Sequence, residues 1–358
     1  MIKFLKLFLF PFSILYWIAT SIRNKFYDIG LIKTTSFPIP IISVGNLSTG
    51  GTGKSPHIEF LVSKLSDKYK LATLSRGYKR KTTGFILADP KNTAADIGDE
   101  PLQFKTKFPN LPVAVDADRV NGVTELLKND SEIEMVLLDD AYQHRKINRS
   151  INILLTEYSK PFYKDHILPV GNLRESRSGF KRANIIIVTK SPIVLSPLDI
   201  RRVKEEIQPE PYQQIYFSYI KYGEPIAHTE AAKALGDINL SDFGVTVLSG
   251  IANPEGLKFY VKRYAKEVNE LSFPDHHEFS IKDFKKIDDK FNELISQKKI
   301  IVTTEKDAMR IDKNLHKDIP IIYIPIKIKF HLNNGEELID QITDYVRANS
   351  NNSQVYTK

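Results

Sequence analysis

The chain has 358 residues, of which 42% are hydrophobic, and it carries a formal net charge of +8. This length allows two domains, and this composition is typical of a globular protein rather than a disordered one. The chain contains no cysteine, which excludes disulfides, thiolate zinc sites and cysteine nucleophiles. The positive charge suits a nucleic acid, an anionic membrane surface or a phosphorylated substrate, and does not choose among them.

The first 30 residues form an apolar, aromatic-rich segment with basic residues on both sides. Its densest part, Leu7–Ala19, is shorter than the roughly 20 residues that a full membrane span needs. We therefore predict that residues 1–30 form a helix that contacts a membrane surface. A core helix is one alternative. A signal peptide or true span is another, but export would separate the nucleotide loop described next from cytosolic ATP.

A glycine-rich loop follows the first strand-like run, Ile39–Val44, and leads into a helical pattern. The candidate phosphate-binding residues are Ser48, Thr49, Gly50, Gly51, Thr52, Gly53, Lys54 and Ser55. Glycines let the backbone approach an anion closely, Lys54 can reach the β- and γ-phosphates of ATP, and the Ser55 hydroxyl can bind Mg²⁺. Ser48 stands where the standard motif has its first glycine. The alternative is a glycine-rich turn with a solvated lysine.

Strand-like runs alternate with helical patterns over residues 31–219, which predicts a mostly parallel sheet flanked by helices. The candidate strands are Ile39–Val44, Leu71–Ser75, Met135–Asp139, Ile151–Thr156 and Ile185–Thr189, and Ile215–Tyr219 is a candidate edge strand. The third run ends in the paired aspartates Asp139 and Asp140, a pattern typical of strands that provide a carboxylate for Mg²⁺ beside a phosphate loop.

Three further charged segments follow strands or lie in turns: Ser75–Arg80, Asp96–Pro101 and Asp116–Arg119. The carboxyl ends of parallel strands meet at one edge of a sheet, and functional residues collect there. For each segment taken alone, a solvated loop charge is the alternative.

We predict that residues 220–345 form a second, smaller α/β lobe that closes an active cleft. Residues 346–358 are predicted to form a disordered tail. The candidate strands of this lobe are Val245–Ser249, Ile300–Thr303 and Ile321–Ile324. Asp275 and His276 lie in a polar loop and could form an acid–base pair in which Asp275 orients the ring. A surface histidine is the alternative.

Seven motifs in this order resemble those of the tetraacyldisaccharide 4′-kinase family. They are Gly45–Ser55, Ser75–Tyr78, Gly98–Pro101, Asp139–Arg145, Leu168–Glu175, Phe273–His277 and Thr303–Asp307. The resemblance runs from the apolar amino terminus to about residue 330, and the family's loop also lacks the first glycine. Ala141-Tyr142 and Ser176 depart from the family pattern.

The resemblance implies a P-loop NTPase-like α/β enzyme with an N-terminal membrane-associated helix and a second α/β lobe. It implies a kinase that uses ATP and Mg²⁺ to phosphorylate tetraacyldisaccharide 1-phosphate, giving lipid IVA, at the cytoplasmic face of the bacterial inner membrane. The implied catalytic residues are Lys54, Asp99, Asp139, Asp140, Arg174 and His276, with Asp99 as the base supported by His276. The implied metal ligands are Ser55, Asp139 and Asp140. The implied substrate-binding residues are Arg76, Tyr78, Arg119 and Glu175.

Two other function classes fit the loop alone. A P-loop ATPase would be stimulated by a protein partner at the membrane rather than by a lipid acceptor. A non-catalytic nucleotide-binding module would use its basic surface for nucleic acid, but the chain lacks the interleaved aromatic and basic residues of single-strand binders. We therefore expect a lipid disaccharide and an anionic membrane surface as partners, and no nucleic acid.

Overall fold

The computed structural model describes residues 2–277, 279–311 and 318–353. The chain divides into two compact units. The first contains the residues up to 220 together with those from 328 onward, and the second contains residues 221–327. This division differs from the predicted lobe 220–345, because the chain returns to the first unit at residue 328.

Strands and helices alternate along most of the chain. The strands are β1 (Ile41–Asn46), β2 (Leu71–Ser75), β3 (Ile86–Leu87), β4 (Val113–Val115), β5 (Met135–Asp139), β6 (Ile151–Glu157), β7 (Ile185–Thr189), β8 (Gln214–Tyr222), β9 (Ile226–Ala227), β10 (Gly244–Ser249), β11 (Glu267–Ser272), β12 (Lys299–Thr304), β13 (Ile321–Ile324) and β14 (Ile326–Phe330). The helices are α1 (Ile2–Asp28), α2 (Lys54–Leu65), α3 (Ala94–Ile97), α4 (Asp99–Lys107), α5 (Arg119–Asn129), α6 (Pro197–Ile207), α7 (Glu230–Lys233), α8 (Glu255–Tyr264), α9 (Ile281–Asn292), α10 (Glu305–Ala308) and α11 (Asn334–Ser353).

The larger sheet has the strand order β14-β8-β7-β6-β1-β5-β2-β4-β3 in the described part of the chain. Its neighbours from β8 to β4 pair in parallel, and β3 pairs antiparallel with β4. Every residue of β1 and β5 is buried, as expected for parallel strands whose faces are both covered. The predicted mostly parallel α/β sheet is therefore confirmed.

One predicted strand occupies a different place in this sheet. Ile215–Tyr219 was expected at an edge because its apolar residues alternate, but it belongs to β8, which lies between β7 and β14. The later strand Ile326–Phe330 covers that side. Alternation alone could not show this, because the covering strand lies about a hundred residues further along the sequence.

The carboxyl-terminal helix α11 packs on the first unit. Its apolar residues Leu338, Ile342 and Val346 recur at helical spacing and join a buried cluster that includes Ile58 and Leu61 of α2. Residues 346–353 of the predicted disordered tail are therefore helical, and residues 354–358 lie outside the described part of the chain.

The amino-terminal helix α1 reverses the usual arrangement of a surface helix. Large apolar side chains such as Phe8, Phe12 and Trp17 are exposed, whereas Ser13 is buried and Asn24 is half-buried. No helix in the described residues is long and apolar enough to cross a membrane.

The second unit is built on a smaller sheet with the order β11-β10-β12-β13-β9 among the described strands. Its strands are parallel except β9, which pairs antiparallel with β13. Val245, Val247 and Val302 pack with Leu257 and Val261 of α8 in its core.

Candidate active site

The phosphate loop connects β1 to α2. Gly50 and Gly53 adopt positive φ values of 108° and 89°, which favour glycine. Among the described residues, no atom lies within 4 Å of where a Cβ would stand on Gly50 or Gly51, so this side of the loop is open. The helix begins at Lys54, and the first N–H groups of a helix lack helical acceptors, which suits the binding of an anion.

Several backbone groups of the phosphate loop are already hydrogen-bonded within the protein. The N–H of Thr49 donates to the carbonyl of Asn172 at 2.7 Å, and the N–H of Thr52 donates to that of Gly50 at 3.2 Å. Ser48 forms a β-bridge with Leu173. These backbone groups hold the loop in shape, because their hydrogen-bonding capacity is already used.

Two carbonyl groups of the loop accept hydrogen bonds from side chains of β7 and α2. The Thr189 hydroxyl at the end of β7 donates to the Thr52 carbonyl at 2.9 Å. The His57 ring donates from Nδ1 to the Gly53 carbonyl at 2.7 Å, and its Nε2 accepts from the Ser218 hydroxyl at 2.9 Å. Burial lowers the pKa of His57 to about 4, so the ring is neutral at neutral pH. Sequence reasoning passed over these partners because they lie far along the chain.

The paired aspartates occupy the end of β5, which the sheet register places beside β1, with Val44 opposite Asp139. Asp139 is only 2% exposed, and its Oδ1 has no hydrogen-bond partner among the described residues. Burial and the nearby charge of Glu100 raise the pKa of Asp139, while Lys54 opposes the shift. A buried carboxylate oxygen without a partner is a group that a cation would satisfy.

Asp140 bridges the phosphate loop and the segment that contains Arg174. Its Oδ1 lies 3.7 Å from Lys54 Nζ, and both carboxylate oxygens accept from Arg174 Nη1, at 2.9 and 3.1 Å. Burial alone would raise the pKa of Asp140, but Lys54 and Arg174 lower it. The structure therefore brings three of the predicted catalytic residues together.

Glu175 is completely buried, and its described contacts are with protein groups. Arg182 Nη2 lies 2.8 Å from each of its oxygens, Gln143 Nε2 donates to it at 3.0 Å, and Asn24 Nδ2 donates to it at 2.7 Å. Glu175 therefore supports neighbouring side chains, and its predicted contact with the substrate stays a prediction. The departure at Ser176 is accommodated locally, since its side chain caps the 3-10 turn Arg177–Arg182.

The turns that carry Arg76, Tyr78 and Asp99 pack against one another. A Cβ on Gly77 would lie 2.8 Å from the Ile97 carbonyl, and one on Gly98 would lie 3.0 Å from the Tyr78 carbonyl. Both glycines also have positive φ. Arg76 and Tyr78 are exposed, and Asp99 is the first residue of α4, where the helix dipole favours a negative charge.

Arg119 is 2% exposed, and its guanidinium donates hydrogen bonds to backbone carbonyls. Its Nη1 donates to the carbonyls of Asp116 and Ala117, at 2.6 and 3.3 Å, and its Nη2 donates to that of Asp139 at 3.4 Å. Burial lowers its pKa to about 10. It also lines a cavity of about 380 Å³ together with His144. A substrate contact by Arg119 remains a prediction, and its support of the Asp139 turn is what the geometry shows.

The predicted histidine loop belongs to the second unit. His276 adopts a positive φ of 59°, and its Nε2 accepts from Lys306 Nζ at 3.2 Å. Asp275 lies 3.8 Å from the same nitrogen, beyond hydrogen-bond distance, so the expected orientation of the ring by Asp275 is not observed.

The Thr303–Asp307 motif makes hydrogen bonds to the segments that hold this loop. The buried Asp307 carboxylate accepts from Gly250 N–H at 3.0 Å and from Arg310 Nη2 at 2.7 Å, and Arg310 also donates to the His277 carbonyl at 3.0 Å. This motif, which had no definite predicted role, fixes the backbone on which His276 is presented.

Comparisons with known proteins show the family of this chain. A model of the tetraacyldisaccharide-1-P 4′-kinase family matches residues 5–347. A tetraacyldisaccharide 4′-kinase from Flavobacterium psychrophilum is 47% identical over 352 residues, covering 98% of this chain and 99% of the relative. One from Bacteroides thetaiotaomicron is 43% identical over 358 residues, covering 96% and 94%.

A solved structure has the same fold. The crystal structure of LpxK from Aquifex aeolicus in complex with ATP is 28% identical to this chain, with a TM-score of 0.73, and the match covers 96% of this chain and 99% of that one. The family match, these relatives and the phosphate loop beside Asp139 and Asp140 lead to one conclusion: the chain belongs to the tetraacyldisaccharide-1-P 4′-kinase family.

Proposed function

We propose that this chain transfers the γ-phosphoryl group of ATP to the 4′-hydroxyl of tetraacyldisaccharide 1-phosphate, giving lipid IVA. One observation carries the proposal: Lys54, Asp140 and Arg174 meet at the phosphate loop beside Asp139. The relatives are named as kinases for this reaction, and the Aquifex aeolicus protein was crystallised with ATP.

The donor side of the site is arranged for charge neutralisation, which phosphoryl transfer needs more than covalent chemistry. Lys54 Nζ lies 3.7 Å from Asp140, farther than Arg174 at 2.9 Å, so a phosphate can compete for the ammonium group of Lys54. The described hydrogen bonds from Arg174 to Asp140 use only Nη1, so the rest of the guanidinium can bind phosphate oxygens. Asp140 holds both cations near the loop.

The residues present fit a magnesium site. Mg²⁺ usually binds through one or two carboxylates, with substrate phosphates and water completing its shell. Within the described residues no group of three or more acidic or histidine side chains is placed so that it could hold a metal ion. Asp139, with its unpartnered oxygen, and the Ser55 hydroxyl would hold the ion, with Asp140 as the alternative carboxylate. When bound, it would neutralise charge on the β- and γ-phosphates.

Asp99 is the proposed base for the sugar hydroxyl. It lies at the amino terminus of α4, in the turn that packs against the Tyr78 segment. His276 is proposed to support it. The hydrogen bond from Lys306 Nζ to the His276 Nε2, at 3.2 Å, holds the ring in place.

The helix α1 is proposed to hold the enzyme at the cytoplasmic face of the inner membrane, where both ATP and the lipid are accessible. Support comes from its exposed Phe8, Phe12, Leu15 and Trp17, since large apolar groups on a docked helix suit the headgroup boundary. Deletion of residues 1–25 should abolish sedimentation with anionic vesicles. Unchanged sedimentation would contradict this assignment.

The activity test is direct. The protein is incubated with γ-labelled ATP and the disaccharide lipid in detergent micelles, and the label is followed by thin-layer chromatography. We expect label in the lipid, dependent on both Mg²⁺ and Lys54. Label released only as free phosphate, at a rate independent of lipid, would instead indicate the P-loop ATPase.

A further inference from the structure

We propose that α1 is a positioning element of the phosphoryl-transfer site, acting through Asn24 and Glu175, in addition to its proposed contact with membrane. This inference rests on the proposed function, because its test measures the rate of phosphoryl transfer to the lipid. It concerns residues that line the docked face of α1, and not the exposed apolar face that would meet lipid.

Glu175 is the centre of the connection. Its carboxylate is completely buried and receives hydrogen bonds from Asn24 of α1, from Arg182 and from Gln143. Gln143 uses the same Nε2 to donate to the Asn46 carbonyl at 2.9 Å, at the start of the phosphate loop. The carboxamide of Asn24 is therefore connected to the loop through two residues, Glu175 and Gln143.

Arg174 is held by the same helix through its backbone. Its carbonyl accepts from the Tyr16 hydroxyl at 3.0 Å, while its N–H donates to the Leu47 carbonyl at 2.7 Å. Ser13, one turn earlier on α1, accepts from Val170 N–H and donates to the Ile167 carbonyl, both at 3.1 Å. The segment that carries Arg174 thus lies between α1 and the phosphate loop, with hydrogen bonds on both sides.

The end of α1 is fixed to the paired-aspartate motif as well. Arg145 donates from Nη1 to the Asn24 carbonyl at 2.9 Å and from Nη2 to Asp28 at 2.6 Å. Arg145 follows Asp140 closely in the sequence, in the same motif. Both the aspartate segment and the arginine segment therefore take their position partly from α1.

These contacts predict a specific consequence. A buried carboxylate that loses a donor becomes under-solvated and draws its remaining partners towards it, including Gln143. Small displacements of groups that position a phosphoryl transfer reduce the chemical rate strongly. Loss of the Asn24 amide should therefore lower kcat, while Lys54 and the loop still bind ATP.

The experiment compares three variants on lipid presented in detergent micelles, where membrane binding does not limit the rate. Asn24→Ala should lower kcat about tenfold, with KM for ATP within about twofold of the parent. Asn24→Asp is isosteric but faces Glu175 with a second negative charge, so it should lower kcat further. Thr20→Ala is the matched control on the same helix, because within the described residues its hydroxyl donates to the carbonyls of Tyr16 and Trp17 of α1 itself, and it should leave kcat unchanged.

The order of the two Asn24 variants separates positioning from packing. If Asn24 only filled space, the isosteric aspartate would be the milder change, and that order would overturn the proposal. Full kcat in Asn24→Ala would also overturn it. Tyr16→Phe, which removes a single hydroxyl from a partly exposed side chain, keeps the test available if an Asn24 variant does not fold, and a kcat equal to that of the parent would contradict the role of α1. A parent protein that labels no lipid would instead refute the proposed function.

Discussion

The two sides of the first unit's site are built differently. On the donor side, Lys54, Asp140 and Arg174 form a charged cluster whose backbone is fixed by hydrogen bonds to neighbouring strands and to α1. On the proposed acceptor side, Arg76 and Tyr78 are exposed, and what is fixed is the backbone of their turn, through Gly77 and Gly98. The charged side chains of the donor side are therefore held in place by hydrogen bonds and ion pairs, whereas the proposed acceptor side exposes Arg76 and Tyr78 to solvent.

The largest effect should come from the base. Asp99→Ala should lower kcat by about 10²–10⁴, because a positioned general base contributes that much, with little change in ATP binding. The control is Asp96→Ala in the same segment, whose carboxylate caps α3 through Thr93 in the described part of the chain. Turnover of Asp99→Ala close to that of the parent would exclude Asp99 as the base.

A smaller loss is expected on the donor side from Arg174→Lys. The ammonium keeps the charge but loses the planar fork that can bind Asp140 and a phosphate together, so kcat should fall about 10- to 100-fold. Arg177→Lys is the matched control, since Arg177 donates to the backbone carbonyl of Asp165 at an exposed position. Equal rates for the two variants would show that Arg174 contributes charge alone.

Substitutions on the proposed acceptor side should change KM for the lipid, whereas those on the donor side should change kcat. Arg76→Ala should raise KM for the lipid about tenfold and leave KM for ATP unchanged, since an exposed guanidinium that binds substrate phosphate contributes mainly to binding. Lys81→Ala, at a nearby exposed position, should change neither value. A raised KM for ATP in Arg76→Ala would place Arg76 on the donor side.

The smallest effect concerns stability at mildly acidic pH. The pKa of His57 is about 4 in the folded protein and about 6.5 when unfolded, so the folded state binds fewer protons. The stabilisation is complete above pH 6.5 and is lost as the pH falls towards 4, and at pH 5.5 the loss is about 1.4 kcal/mol. Urea unfolding at pH 8 and 5.5 should show a loss that is smaller by about 1.4 kcal/mol in His57→Gln than in the parent and in His166→Gln, because His144, whose pKa burial also lowers to about 4, contributes to the loss in all three. The same loss in His57→Gln would assign it to other groups.

Much of this site could be predicted because its residues lie in short, continuous sequence motifs. The phosphate loop, the strand that ends at Asp139 and the order of the motifs are continuous in the sequence, and the strands Leu71–Ser75 and Met135–Asp139 have the predicted bounds. The kinase family suggested by these motifs is confirmed.

What could not be predicted depends on contacts between distant residues. Nothing local shows that Glu175 is buried against Asn24, or that His57 contacts Ser218, because each pair is separated by about 150 residues or more. Nor could the loop sequence show that the Thr49 N–H is already used by Asn172. The polar end of the chain predicts a disordered tail, whereas the helix there packs through Leu338, Ile342 and Val346 on a surface that includes α2.

The most direct measurement of the central claim is the position of the transferred phosphate. After reaction with ATP and tetraacyldisaccharide 1-phosphate, tandem mass spectrometry of the lipid product locates the new group on one sugar. The proposed function predicts a single added phosphate on the 4′-oxygen, formed in equal amount to ADP. A diphosphate at the 1-position, or ADP formed without any phosphorylated lipid, would contradict it.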